Sequence, residues 1–211
     1  MKILDKSTWK RREHFDFFTQ CDEPFFGLIT EIDCTQAYQI SKENKQSFFA
    51  YYLHKSILAV NLVEELRYRI DGDNVNIYDE IHVSTTIGRE DETFGFTYVP
   101  FHKDFEIFNT TLKTEIEEVR NSEGLRLNEN ASRKNVVHYS SIPWNTFSGL
   151  THARNFKVED SAPKITFGKM FQKDGQKKMN IAIYVHHALA DGFHIAKYLD
   201  YFQKLMNGEK I

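Results

Sequence analysis

The stretch YVHHALADGFH, Tyr184 to His194, sets two adjacent histidines before an aspartate, a glycine and a third histidine. Histidine is the side chain whose unperturbed pKa lies nearest neutrality, so a positioned His187 could take a proton from a hydroxyl or a thiol. Asp191 could cap a helix or pair with an arginine and so fix the loop. Gly192 permits a backbone shape that other residues resist. Ile181, Ile183 and Val185 alternate with Ala182, Tyr184 and His186, so a strand runs into the motif, and the residues after Gly192 have helical spacing. His187 therefore falls where a strand ends, a position from which a side chain can face a cavity. If the strand continues, His186 and His187 point to opposite faces, and only one of them can serve a given site. A wholly helical motif would instead put His187, Asp191 and His194 at i, i+4 and i+7, a metal-binding face, but the alternation and Gly192 weigh against it. A purely structural reading, with Asp191 as an N-cap and the histidines packed, stands beside the catalytic one.

The elements around the motif must position it. STWKRREHFDFF reads as a first helix with Ser7 as its N-cap, and FFGLITEID as a strand. CTQAYQISKEN is a short polar helix. QSFFAYYLHKSILAVNLV is apolar nearly all round, which marks a buried helix. LRYRIDGDNVNIYDE gives two runs around a hairpin turn at Asp71–Asn74. HVSTTIG and TFGFTYVPF are strands, and DFEIFNTTLKTEIEEVRNSEG is an amphipathic helix capped by Asp104 and ended by Gly124. VVHYSS is a short strand before a turn at IPW. KITFGKMFQ and MNIAIYVHH form a long hairpin, and FHIAKYLDYFQKLM is a closing helix with Ile195, Leu199, Phe202 and Met206 on one stripe. The expectation is an α+β two-layer fold, a mixed, largely antiparallel sheet with helices packed on it, over one domain of residues 1–211.

Composition narrows the function. The chain carries 27 Lys and Arg against 30 Asp and Glu, a net charge of −3, which argues against a nucleic-acid partner. The longest mostly apolar segment, Phe48 to Val63, is interrupted by His54, Lys55, Ser56 and Asn61 and is too short to span a bilayer. No apolar leader opens the sequence, so neither a signal peptide nor a membrane partner is expected, and a cytoplasmic location with Cys21 and Cys34 reduced follows. Apolar residues make up 41% of the chain, with 18 Phe and 10 Tyr, ample for a core and for aromatic pockets.

HHALADGFH closely resembles the HHxxxDGFH signature of the trimeric, histidine-dependent chloramphenicol acetyltransferases. WKRREHFDFF is similar to that family's N-terminal element, SSIPW to the segment with its site serine, and ITFGK to the strand with its site threonine. The four motifs occur in order over essentially the whole chain. The resemblance implies a homotrimer with active sites at subunit interfaces. It also implies direct transfer of acetyl from acetyl-CoA to the primary hydroxyl of chloramphenicol, with no acyl-enzyme, no permanently bound cofactor and no metal, and resistance to the antibiotic as the outcome. By position, His187 matches the general base, Ser140 the oxyanion donor and Thr166 the threonine that organises the transition state through water. Ser141 is the one-residue alternative to Ser140. Asp191 and Arg11 match a buried ion pair that steadies the histidine loop, with Arg12 the adjacent alternative. Phe17, Phe18 and Phe26 match the antibiotic pocket, and Trp144 and Lys169 match CoA contacts.

Several positions depart from the pattern. Ala190 stands where relatives often carry cysteine. Asp22 and Pro24 fall where relatives place Leu and Cys, and His152 and Arg154 fall near apolar pocket positions. Desolvating such groups weakens an aryl slot. Other readings therefore stay open: a different alcohol acceptor with the same chemistry, the acyltransferase core of a 2-oxo acid dehydrogenase complex, a non-catalytic binder of an aromatic molecule, and a metal protein using His187 and His194.

Overall fold

The computed structural model describes residues 1–211, the side chain of Ala131 excepted. The fold is α+β, built on a six-stranded sheet of order β2-β9-β8-β7-β5-β6. Its strands are β2 (Phe25–Asp33), β5 (His82–Gly88), β6 (Phe94–Val99), β7 (Val136–Ser141), β8 (Lys164–Lys173) and β9 (Gln176–His186). β7 runs parallel to both β5 and β8, and the remaining pairs are antiparallel. A second sheet of order β1-β4-β3 holds β1 (Lys2–Ile3), β3 (Tyr68–Asp71) and β4 (Asn74–Ile77).

Four helices, α2 (Thr35–Glu43), α3 (Phe48–Leu62), α4 (Phe105–Arg120) and α5 (Gly192–Met206), pack with the large sheet around the main core. α3 is apolar on nearly every side and buried accordingly, and its first turn is capped by the Ser47 hydroxyl. Asp104 caps α4 by accepting from the amides of Glu106 and Ile107. That helix ends at Arg120 with Asn121 as its C-cap, and Gly124 lies beyond it. The strand alternation sorts the large sheet's two faces. Tyr139, Ser141, Ile165, Phe167, Ile181, Ile183 and Val185 turn to the helices, while His138, Ser140, Lys164, Thr166, Ala182, Tyr184 and His186 turn the other way. On that second face Gly27 is required by close approach, since a Cβ there would sit 2.3 Å from the Tyr184 ring.

A smaller core joins α1 (Arg12–Phe18), β3, β4 and the turn after β9 through Phe15, Tyr68, Val75, Ala188 and Leu189. α1 starts later than the sequence reading placed it. The Asp5 carboxylate takes both the Ser7 amide at 2.9 Å and the Ser7 hydroxyl at 2.6 Å. The hydroxyl is thereby turned back into a local turn instead of forward onto a helix.

Candidate active site

His187 sits in the turn between β9 and α5, and three separate pieces of chain hold it. Its amide donates to the carbonyl of Pro24 at 2.8 Å, and its carbonyl accepts from Arg11 at 3.2 Å. Its ring stacks on Phe18 with centroids 3.9 Å apart and interplanar angle 18°, and tilts against Phe26 at 4.4 Å. Nδ1 lies 3.3 Å from the carbonyl of Ala190. A carbonyl only accepts, so the ring proton belongs on Nδ1 and the lone pair on Nε2. An imidazole held against two rings, with Nδ1 turned to a carbonyl and Nε2 left to accept, is the geometry of a general base. His186 faces the other side of the sheet, edge-on to Phe25, and burial holds its pKa down to about 4.

Asp191 is the N-cap of α5. Its carboxylate accepts from the Phe193 amide, and its own amide donates to His194 Nδ1 at 3.0 Å. It also pairs with Arg11, whereas Arg12 lies outside against Asp16 at 3.7 Å. Arg11 thus ties the helix cap and the backbone of His187 together. Burial opposes ionisation of Asp191, but the hydrogen bond from Arg11 and the neighbouring His194 and Arg11 outweigh it and hold the carboxyl below the usual range. Arg11→Met is expected to cost about 1–2 kcal/mol of folding stability, less than a fully buried pair because Asp191 keeps some solvent. A depressed folded-state pKa stabilises above the unfolded pKa and is lost below it. The difference between variant and wild type in urea unfolding should therefore shrink as pH falls below about 4.

Ser140 and Thr166 stand side by side on the open sheet face, in register across β7 and β8. Ser141 points to the opposite face, where its hydroxyl meets the Tyr52 hydroxyl at 3.0 Å, so Ser140 is the serine next to Thr166. His152 Nε2 lies 3.5 Å from Thr166 Oγ1. Thr166 is in turn in register with Ala182 of β9. His187 is five residues further along the chain than Ala182, about 16 Å at ~3.3 Å per residue, and β7 is two strands away, about 10 Å. One chain therefore keeps the imidazole and the Ser140 hydroxyl apart. Phe18 and Phe26 join His187, while Phe17, at the outer side of α1, is 67% exposed. Trp144 is 73% exposed just beyond β7, and the amide of exposed Lys169 donates to Asn145, so these two residues flank the far end of the Ser140 strand.

Two residues beside Ser140 escaped the sequence reading. His138 precedes Ser140 by one strand period, and Lys164 precedes Thr166 by one, the two being in register with each other. Strand alternation in VVHYSS and KITFGK was the signal that could have found them.

A family model described as chloramphenicol acetyltransferase matches residues 1–203. The chain belongs to the chloramphenicol acetyltransferase family. Among its relatives, a chloramphenicol acetyltransferase of Clostridium perfringens is 31% identical over 206 residues, covering 97% of this chain and 97% of the relative. Chloramphenicol acetyltransferase 3 of Escherichia coli is 28% identical over 208 residues, 98% of this chain and 97% of the relative. A solved chloramphenicol acetyltransferase superposes with a TM-score of 0.90 at 29% identity, covering 97% of this chain and 99% of that one. The family implies acetyl-CoA as co-substrate. Among the described residues no helix is long and apolar enough to cross a membrane.

Proposed function

We propose that the protein is a chloramphenicol O-acetyltransferase of the cytoplasm that moves acetyl directly from acetyl-CoA to the drug's primary hydroxyl. The observation that carries this reading is the His187 imidazole, oriented by the Ala190 carbonyl and two phenylalanine rings with Nε2 left free. Nε2 removes the hydroxyl proton as the oxygen attacks the thioester carbonyl carbon. The Ser140 hydroxyl donates to the resulting oxyanion, a placed donor that strengthens as charge develops. Thr166, next to Ser140, holds a water that supports the same intermediate. The carbon–sulfur bond then breaks, and the proton passes from Nε2 to the departing CoA sulfur. Asp191 and Arg11 keep the base in place and touch no reacting atom.

The family resemblance implies a homotrimer with its sites at subunit interfaces, and the separation of Ser140 from His187 within one chain supports a shared site in which His187 of one subunit serves Ser140 of the next. Exposed Phe17 supports this, as a large apolar side chain left in solvent marks a contact or a ligand. Trp144 and Lys169 take the CoA, the lysine at a phosphate. Phe17, Phe18 and Phe26 line the antibiotic pocket. Purified protein with acetyl-CoA should release free thiol only when chloramphenicol is added. Thiol release that does not depend on the alcohol, or none at all, would overturn this function. A second acceptor alcohol is favoured by the polar residues next to Ser140.

A further inference from the structure

Thr166 is 1% exposed, and among the described residues its hydroxyl has a single hydrogen-bond partner, His152 Nε2 at 3.5 Å. A hydroxyl carries one proton and two lone pairs, so the partner of a buried one decides which way each of them points. His152 lies in the segment between β7 and β8, which has no strand or helix of its own to hold it. Tyr184 supplies the hold. Its hydroxyl donates to the carbonyl of Leu150, and its ring meets the His152 ring edge-on with centroids 5.0 Å apart at 89°. Tyr184 can lie there because its partner across the strands is Gly27, where any side chain would collide with the ring. Gly27, Tyr184, His152 and Thr166 thus form one line of contacts that ends on a site hydroxyl.

The charged groups on this face are engaged with one another. Lys164 pairs with Asp160 at 2.5 Å and reaches the Ala162 carbonyl at 3.4 Å, and Arg154 pairs with Glu23. Both cations lie over the Phe25 ring, at 4.6 and 3.9 Å, with His186 at its edge. Burial, then the charge of Lys164, lowers the pKa of His152, and the same causes hold His138 down to about 4. A neutral imidazole keeps a lone pair on one ring nitrogen. We propose that His152 is a positioning residue for acetyl transfer, its Nε2 accepting the Thr166 hydroxyl proton and so turning the threonine's lone pairs toward the bound water. That water then donates one proton to Thr166 and the other to the oxyanion beside Ser140. His152 itself touches no reacting atom. The bond of 3.5 Å is long, as catalytic hydrogen bonds often are before substrates bind and tighten them. The resembled family is apolar near this position, so the contact belongs to this chain. The inference rests on the acetyltransferase reading above and deepens it.

The test is a double-mutant cycle in thiol release from acetyl-CoA and chloramphenicol. His152→Leu should lower kcat by about 3- to 10-fold, the worth of one neutral hydrogen bond, with KM for chloramphenicol within about twofold of wild type. His152→Gln, whose amide oxygen can take the same proton, should recover most of that loss, which separates the lost bond from a disturbed fold. Thr166→Val removes the hydroxyl, and adding His152→Leu to it should cost less than about twofold more, because His152 acts only through that hydroxyl. Losses that multiply in the double variant, a change confined to KM, or a glutamine no better than leucine would each overturn the proposal. Thr166→Val with the kcat of wild type would also overturn it and leave acetyl transfer standing. No thiol release from the wild type overturns the acetyltransferase reading itself.

Discussion

Replacing His187 by alanine is expected to lower kcat for thiol release by about 10²- to 10⁴-fold, the range that a positioned general base contributes. The loss should fall on kcat more than on KM, because the proton is in flight only in the transition state. The variant also empties the space between Phe18 and Phe26, whose rings lie against the imidazole. His187→Phe fills that gap without supplying a base, so the two variants should lose kcat alike while differing in thermal stability. Activity near wild type in either variant would remove His187 from the mechanism. Recovery in His187→Phe alone would make the residue a packing element.

Much of the fold was legible because its signals are local. Asp71–Asn74 between two alternating runs gives the β3–β4 hairpin, and Asp104 stands before an apolar-periodic stretch it does cap. Ser7 has the same local signature and fails, since Asp5 captures its hydroxyl through a contact no helix-start rule contains. Long-range pairings show the same divide. Arg11 and Asp191 lie 180 positions apart in the chain, and no periodicity joins them. That pairing came into view through the resemblance of whole motifs, and the choice between Arg11 and Arg12 became visible only where one side chain turns inward and its neighbour outward.

The polar cluster around Phe25 was the least legible part. Each member has an ordinary reading alone: Lys164 and Arg154 as solvated cations, His138 and His186 as strand histidines. Their meaning comes from register, which puts His138 opposite Lys164 and His186 opposite Phe25 across strands that are distant in sequence. It also comes from burial, which turns a charged side chain from a surface ornament into a group that needs a partner.

Ser140→Ala should lower kcat by about 10²- to 10³-fold, the usual cost of one oxyanion donor, whereas Ser141→Ala should change it little. The contrast follows from the faces: the Ser141 hydroxyl is spent on Tyr52 inside the subunit, and the Ser140 hydroxyl stands free beside Thr166. The separation of Ser140 from His187 within one chain leads to a sharper experiment. Subunits carrying Ser140→Ala and subunits carrying His187→Ala are each inactive, but they fail in different halves of the site. Unfolded together and refolded as mixed assemblies of the proposed trimer, they should regain activity, since an interface that joins the intact His187 of one to the intact Ser140 of the other is complete. Random assortment of equal amounts makes about one interface in four complete, so activity should rise to about a quarter of wild type. Mixed subunits that stay inactive, although each variant refolds to the same size as wild type, would place both residues in a site within one chain and overturn the shared site.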